Sequence, residues 1–375
     1  MSLDIAKERH SENIFSQPAN NKIIGILEAL SSVGYNVTIL SSGLANSKSG
    51  KLYPEKKERY KGTDVIYCRI IDLPLINSLT SIIYMYRAIK KQYRISEIDN
   101  IIFYNYKPEV AWAAYFAKKF LHIPITVEYE DGYAHVEGLS RFKAAILNLT
   151  EKLVSKKIDS AILVSSLLQK KYKVPNVVVR GVIDKNFLME CEKYHKTPND
   201  KFTILYSGGL DNSRGINVLL ESLRFLDIDC RIIITGKGNI EVPDDRVEFK
   251  GFIPYENVKE LMKQADVLLQ CQLVGSQFAN ASFPSKLFEY ICTGNTIISS
   301  AMPDVMNFAG DAFVYYDNDD PKALADAIKK AYAVYGDNMD KYNVQELCVQ
   351  NLPKQVGERI KNMLITNEID NDGGK

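Results

Sequence analysis

The amino-acid sequence predicts an α/β protein of two doubly wound domains that face each other across a cleft. Short β-branched runs alternate with segments of helical length, as in parallel βαβ units. This alternation begins a second time at Phe202, and a chain of 375 residues is too long for one compact core. We expect an N-terminal domain over residues 1–183 and a C-terminal domain over 184–345. A helix over 346–366 would pack back toward the first domain, and a disordered tail would cover 367–375.

Composition is that of an ordinary globular protein, with 46% hydrophobic and 25% charged residues. No apolar run approaches the roughly 18–20 residues of a membrane helix, and the polar start shows no signal peptide. We therefore expect a cytoplasmic protein without a nucleic-acid partner. The six cysteines are scattered and predict free thiols, and the cysteines and four histidines form no metal-binding pattern.

The first domain is predicted to contain a helix that begins at Asn20 or Asn21 and ends near Ser32. A polar segment over 42–63 reads as a flexible loop. Strands are predicted over 35–40, 65–71, 100–104, 125–129, 160–164 and 177–180. Further helices are predicted over 76–93, 108–121, 139–156 and 165–172, before a linker over 181–200.

An α/β domain of this kind normally opens with an apolar strand, and the first 20 residues supply only residues 3–6. Two explanations stay open, namely a very short first strand and a chain cut or re-headed at this point.

The second domain repeats the same alternation. Strands are predicted over 202–207, 230–235, 247–249, 267–270 and 296–298. Helices are predicted over 216–225, 255–265 and 321–335, with a further helix that has Pro284 in its first turn and ends at Gly294.

The stretch from Asn280 to Ser300 is the most informative part of this domain. Lys286 and Glu289 lie three residues apart near the predicted helix start, so they project from neighbouring faces. A helix start favours phosphate, a lysine adds positive charge, and a carboxylate accepts hydrogen bonds from sugar hydroxyls. An ordinary surface ion pair is the alternative.

Three further turns follow strands of the second domain, where ligands bind in open α/β sheets. Taken with the Lys286 segment, these turns predict a pocket for a nucleotide that carries a diphosphate. The predicted donor-binding residues are Ser207, Gly208, Gly209, Arg214, Gly236, Gly238, Phe252, Ile253, Ser285, Lys286, Leu287 and Glu289. Neither a P-loop nor a G-x-G-x-x-G motif is present in the sequence.

These residues carry a family resemblance, which covers about residues 150–335. The sequence resembles the family 4, or group 1, retaining glycosyltransferases, which use nucleotide sugars and have the GT-B architecture of two Rossmann-like domains. Four segments carry the resemblance: Y-S-G-G-L-D-N-S-R-G at 206–215, T-G-K-G at 235–238, G-F-I-P at 251–254 and F-P-S-K-L-F-E-Y-I-C-T-G at 283–294.

The resemblance implies a UDP-sugar donor, or a GDP-sugar, and a glycan or lipid-linked acceptor in surface or capsular polysaccharide synthesis. It implies neither a cofactor nor a metal. Arg214, Lys286 and Glu289 become the main catalytic candidates, since positive charge stabilises a departing diphosphate and the carboxylate can bind the sugar.

The sequence departs from the family pattern at three positions. Ala281 stands where the first Glu of the family's Glu-x7-Glu pair is expected, while Glu289 matches the second. Leu210 occupies the place of a second cation beside Arg214, and Arg180 replaces an Asn of the interdomain turn.

Acceptor-side candidates follow a strand of the first domain. Glu130 and Asp131 would bind hydroxyls or act as a general base, and His135 would face the cleft. Asn20 and Asn21 are weaker candidates. All five also fit a purely structural or solvated role.

Two basic stretches of the first domain, 87–94 and 141–157, suggest peripheral contact with the inner face of a membrane. Residues 1–185 carry 27 Lys and Arg against 18 Asp and Glu, whereas residues 186–375 carry 20 against 28. A merely solvated basic surface is the alternative.

Two other functions stay open on the sequence alone. A nucleotide-sugar epimerase of the same layout would turn over donor without acceptor. A catalytically silent nucleotide-binding subunit would bind nucleotide without any transfer.

Overall fold

The computed structural model describes residues 3–11, 17–43, 45, 50–73, 76–130, 140–241, 244–275, 283–317, 319–333 and 344–372. The chain divides into two compact units. The first unit contains Met1–Arg180 together with Pro353–Lys375, and the second contains Gly181–Leu352. The chain therefore leaves the first unit after Arg180 and returns to it at Pro353.

Helices and strands alternate along the described chain. The helices are α1 Leu3–Glu8, α2 Gln17–Ser32, α3 Ile76–Tyr93, α4 Pro108–Leu121, α5 Arg141–Val154, α6 Lys185–Lys193, α7 Ile216–Ser222, α8 Tyr255–Gln264, α9 Leu287–Thr293, α10 Pro303–Ala309, α11 Pro321–Ala333, α12 Val344–Gln350 and α13 Pro353–Asp372. The strands are β1 Thr38–Ser41, β2 Leu52–Tyr53, β3 Lys56–Tyr60, β4 Thr63–Tyr67, β5 Ile70–Ile71, β6 Ile101–Tyr104, β7 Ile125–Tyr129, β8 Ser160–Leu163, β9 Asn176–Val178, β10 Phe202–Ser207, β11 Cys230–Thr235, β12 Val247–Gly251, β13 Val267–Gln270, β14 Thr296–Ser300 and β15 Val314–Tyr316.

The first unit is built on a parallel sheet in the order β6-β7-β8-β9. Its strands are short and apolar, and Ile125, Val127 and Leu163 are fully buried. A second sheet has the order β1-β4-β3, with β1 parallel and β3 antiparallel to β4. Helix α4 covers the β6-β7 sheet with its alanine face and packs against α3 and α5.

The second unit has one six-stranded parallel sheet in the order β12-β11-β10-β13-β14-β15. Strands β10, β11, β13 and β14 are largely buried, because helices α7 and α11 pack Leu219, Leu324 and Ile328 against Ile204 and Ile232. Continuous apolar strands of this kind are typical of a parallel sheet covered by helices. The strand order is that of a doubly wound Rossmann-like domain.

The predicted α/β class is confirmed, and most predicted elements of the second unit are present within a few residues. Several local expectations of the first unit were wrong. Residues 3–6, for which a very short first strand was one of two open explanations, belong to helix α1, where Ile5 and Ala6 are fully buried. The segment 42–63, expected as a loop, contains strands β2 and β3.

The physical reason for the missed strand β3 is its exposure. Among the described strands it pairs with β4 alone, and Lys-Lys-Glu-Arg-Tyr shows no apolar alternation. Lys61 and Gly62 both have positive φ and form the two-residue turn between the strands.

Three further segments differ from the sequence prediction. The helix expected over 165–172 is a 3-10 helix over Ser166–Lys171, and the linker over 181–200 contains α6. Helix α13 continues to Asp372, past the point at which a disordered tail was expected. No helix among the residues that the structure describes is long and apolar enough to cross a bilayer.

Helix α13 docks on α2 through a backbone contact. A Cβ atom added at Gly357 would lie 2.2 Å from the carbonyl oxygen of Ala29. Only glycine therefore permits this approach of the two helices.

We expect Gly357→Ala to destabilise the protein, although alanine alone would favour the helix by about 1 kcal/mol. Forcing the two helices apart should give a net loss of about 1–3 kcal/mol in the free energy of unfolding, measured with urea. Gln355→Ala, at an exposed position of the same helix, is the control. A Gly357→Ala protein as stable as wild type would contradict this account.

Candidate active site

The sheet order of the second unit reverses between β10 and β13. Loops that follow two such strands diverge, and the space between them is where open α/β sheets bind ligands. The segment after β10 begins at Ser207 and includes Arg214, and the segment after β13 includes Gln272 and Lys286. The residues predicted from the sequence therefore lie on both sides of this switch point.

The turns after β10, β11 and β12 are joined by backbone hydrogen bonds. The Gly208 amide donates to Thr235 O at 3.0 Å, and the Gly236 amide donates to Gly251 O at 3.0 Å. A Cβ atom at Gly236 would lie 1.7 Å from Gly208 O, so no other residue fits at this position. The predicted glycine turns thus meet at one edge of the sheet.

Lys286 crosses the switch point from the β13 side. Its Nζ donates to Ser207 O at 3.0 Å and lies 5.0 Å from the centre of the Tyr206 ring. Burial is the main reason that the pKa of Lys286 is lowered to about 8; Arg214 adds to this lowering, while Glu289 opposes it. The ammonium is therefore a poorly solvated cation beside a second cation.

Arg214 crosses the switch point from the β10 side. It ends the 3-10 turn Asn212–Arg214, and its Nη1 donates to Gln272 Oε1 at 3.2 Å. The Tyr206 hydroxyl donates to Gly209 O at 2.7 Å and holds the intervening turn in place. Much of the guanidinium side chain stays exposed, where it can contact an anion.

Glu289 lies in the first turn of α9, where it accepts a hydrogen bond from the Tyr255 hydroxyl. Burial is the main reason that the pKa of Glu289 is raised to about 7; the Tyr255 hydrogen bond, Lys259 and Lys286 oppose this shift. The Lys259 ammonium also lies over the Tyr255 ring at 5.2 Å. Glu289 is therefore a carboxyl group whose charge is easily changed near neutral pH.

The helix start differs from the prediction. Helix α9 begins at Leu287, and residues 284–286 form turns that close with the Leu287 amide donating to Pro284 O at 3.1 Å. Pro284 therefore precedes the helix instead of opening it. Leu287, predicted to bind donor, is fully buried in the core, whereas Ser285 is exposed.

The G-F-I-P turn after β12 presents Phe252, whose side chain is 83% exposed. Ile253 beside it is partly buried. An exposed ring at the ligand edge of a sheet can stack on a flat base.

In the first unit, the structure gathers polar groups at the end of β7. The Glu130 amide donates to Asn105 Oδ1 at 2.8 Å, and the Tyr104 hydroxyl donates to the Glu130 carboxylate. The buried Lys22 ammonium lies 3.8 Å from both Glu128 Oε1 and Glu130 Oε1. Lys22 also donates to Val179 O.

The other acceptor-side candidates are Asn20, Asn21, Asp131 and His135. Asn20 and Asn21 lie in α2 and are partly buried. Asp131 and His135 lie outside the described residues. The predicted roles of all these residues stay predictions.

Sequence reasoning missed several residues of both sites. Lys22 follows two asparagines in a helix and gave no signal, because only the fold brings it to Glu128. Gln272 and Tyr255 did carry a signal, since each closely follows the carboxyl end of a strand. In the structure, Gln272 accepts a hydrogen bond from Arg214, and the Tyr255 hydroxyl donates one to Glu289.

Comparison with solved structures places the chain among GT-B folds. It resembles a glycosyltransferase from Rickettsia africae with a TM-score of 0.60 at 16% identity, over 92% of this chain and 94% of that one. It resembles α,α-trehalose 6-phosphate synthase from Burkholderia multivorans with a TM-score of 0.65 at 8% identity, over 99% and 97%. HepE from Anabaena, in complex with UDP, matches with a TM-score of 0.56 at 14% identity, over 75% and 82%.

A family model matches most of the second unit. Residues 190–343 match the model described as glycosyl transferases group 1. The predicted resemblance is confirmed over this region. A search of curated proteins by sequence gave no match.

The raised pKa of Glu289 predicts a stability that depends on pH. Between about pH 4.5 and 7 the unfolded chain loses this proton while the folded chain keeps it, so folding stability falls as pH rises. Glu289→Gln keeps the acceptor for Tyr255 and removes the charge. We expect the variant to gain stability over wild type as pH rises through this window, by about 2–3 kcal/mol at pH 8.

Urea unfolding at pH 5 and pH 8 measures this gain. Glu221→Gln removes an exposed carboxylate of α7 and serves as the control, with no comparable change expected between the two pH values. Equal stability of wild type and Glu289→Gln at both pH values would refute the buried environment of Glu289.

Proposed function

We propose that the chain is a retaining glycosyltransferase that uses a nucleoside diphosphate sugar, UDP-linked in the first instance and GDP-linked in the second. The observation that carries the proposal is the pair of cations at the switch point. Lys286 is held at Ser207 O while Arg214 is close enough to lower its pKa. Two cations beside glycine turns suit a diphosphate.

Each part of a donor has a partner in this proposal. Arg214, Lys286 and the amides of the glycine turns bind the diphosphate, and Phe252 stacks on the base. Glu289, held by Tyr255, accepts hydrogen bonds from sugar hydroxyls. The UDP complex of the similarly folded Anabaena HepE supports a nucleotide ligand for this fold.

The proposed reaction breaks the bond between the anomeric carbon and the diphosphate oxygen and forms a bond from that carbon to an acceptor oxygen on the same face. The acceptor proton passes to the leaving diphosphate, so no strong protein base is required. The cations stabilise the charge that develops on the leaving group, where each fixed charge-assisted contact contributes several kcal/mol at most. We propose that the reaction needs no metal, and chelation with EDTA should leave turnover unchanged.

The acceptor in this proposal is a glycan or a lipid-linked glycan of surface polysaccharide synthesis. Glu130 would accept a hydrogen bond from an acceptor hydroxyl. The Lys22 ammonium, 3.8 Å from Glu130 Oε1, would hold this carboxylate in position.

Lys286→Ala tests the donor site directly. We expect one nucleotide from a panel of UDP, GDP and their sugars to raise the melting temperature of wild type. The variant should bind that nucleotide about ten- to a hundredfold more weakly, because a charge-assisted contact is lost. Lys330→Ala, an exposed lysine of α11, is the matched control and should bind as wild type does.

Binding should also depend on pH in wild type alone. Above about pH 8 the Lys286 ammonium of the free protein loses its proton, so affinity should fall by up to about tenfold per pH unit. Calorimetry in buffers of different ionisation enthalpy should detect proton uptake on binding, and Lys286→Ala should abolish this uptake.

Several outcomes would count against the proposal. Wild-type nucleotide affinity in Lys286→Ala would rule out the proposed donor site. Donor converted without acceptor into an isomeric nucleotide sugar would indicate an epimerase, and tight binding without transfer or donor hydrolysis would indicate a silent subunit.

A further inference from the structure

Helix α5 exposes a stripe of large apolar side chains. Phe142, Ile146, Leu149 and Leu153 are 66%, 39%, 55% and 42% exposed. Their spacing of four, three and four residues places them on one face of the helix. The adjoining side of the helix packs into the protein, since Thr150 and Val154 are buried and the Trp112 indole of α4 donates to Thr150 Oγ1 at 3.2 Å.

Basic residues border this stripe on both sides. Arg141, Lys152 and Lys156 lie along one border, and Lys143 and Lys157 lie along the other; all are exposed. The acidic residue of the helix, Glu151, projects away from the stripe and pairs with Lys171. The exposed face of α5 is thus apolar in the middle and positive at both edges.

The apolar surface continues onto the neighbouring helices. The ring centres of Trp112 and Phe116 in α4 lie 6.0 Å apart. The rings of Phe116 and Phe120 pack edge-on against Tyr86 of α3, with centre-to-centre distances of 6.5 and 6.3 Å. Phe120 is itself 58% exposed. Aromatic side chains therefore run from α3 across α4 to the edge of α5.

We propose that this face, made of the α5 stripe and the α4 aromatic residues, docks on an anionic lipid bilayer with α5 lying in the interfacial plane. The proposal goes beyond the transferase reaction and does not depend on it. Sequence reasoning suggested attraction by basic charge alone, whereas the structure adds an apolar face that enters the interface.

Charge decides between a bilayer and a second copy of the chain. If two α5 faces met, the lysines and arginine bordering one stripe would face those of the other, and like charges would repel. Anionic headgroups instead neutralise each bordering cation, while the stripe enters the boundary between headgroups and acyl chains. Large exposed apolar patches mark interaction sites, and this one carries the charge pattern of an interfacial helix.

The fluorescence of Trp112, the sole tryptophan of the chain, can report docking on the bilayer. The full-length protein is mixed with vesicles of phosphatidylcholine alone or with vesicles in which about a third of the lipid is anionic phosphatidylglycerol. We expect binding to the anionic vesicles, a blue shift of the Trp112 emission, and quenching by lipids brominated on the upper acyl chain. Neutral vesicles should bind much more weakly.

Two variants separate insertion from simple charge attraction. The double variant Phe142→Ser with Leu149→Ser should lower vesicle partitioning about tenfold or more and make the residual binding fully sensitive to salt. The double variant Lys152→Glu with Lys156→Glu should weaken binding at low salt. Val349→Ser and Lys330→Glu remove an exposed apolar residue and a lysine of the second unit, and both should bind as wild type does.

Three results would overturn the proposal. They are absence of binding to anionic vesicles at low salt, binding without any quenching of Trp112, and wild-type partitioning by the serine double variant. A dimer in solution that the serine variant dissociates, together with no vesicle binding, would assign the face to a second copy instead. Nucleotide binding is measured on the same proteins without vesicles. A variant that loses docking but still binds nucleotide has kept the donor site.

Discussion

Two hydrogen bonds cross the switch point of the second sheet in opposite directions, and the candidate site depends on them. Lys286 reaches from the β13 side to Ser207 O, and Arg214 reaches from the β10 side to Gln272. Both contacts hold the two positive charges near each other, and burial together with Arg214 lowers the pKa of Lys286. The proposed diphosphate would offset this cost, because an anion compensates a poorly solvated cation.

The backbone makes this arrangement possible. The turn after β11 approaches the turn after β10 so closely that Gly236 leaves no room for a side chain. The turns cannot move apart without breaking the hydrogen bonds that join them to β12. Glu289 adds a cost of its own, since burial raises its pKa toward neutrality. Stability is thus given up at the residues proposed to handle the donor, as is common at active sites.

Prediction from the sequence succeeded where local pattern and tertiary structure agree. The buried strands of the second unit are continuous apolar runs, and glycine turns mark their carboxyl ends, so Arg214, Lys286 and Glu289 could be grouped in advance. Prediction failed where tertiary contacts determine the local structure. Strand β3 is an exposed edge without alternation, helix α9 starts after Pro284 because the preceding turns close on themselves, and Lys22 meets Glu128 only through the fold. Long-range contacts of this kind leave no local signal.

The half of the chain that contains helix α5 is its positively charged half. Residues 1–185 carry a net charge of +9, from 27 Lys and Arg against 18 Asp and Glu, and residues 186–375 carry −8, from 20 against 28. The half of the chain that bears the stripe therefore carries the sign of charge that an anionic surface attracts. A lipid-linked acceptor is confined to that surface. The proposed docking through α5 would bring the first unit, which carries the Glu130 cluster, to the surface that holds the proposed lipid-linked acceptor.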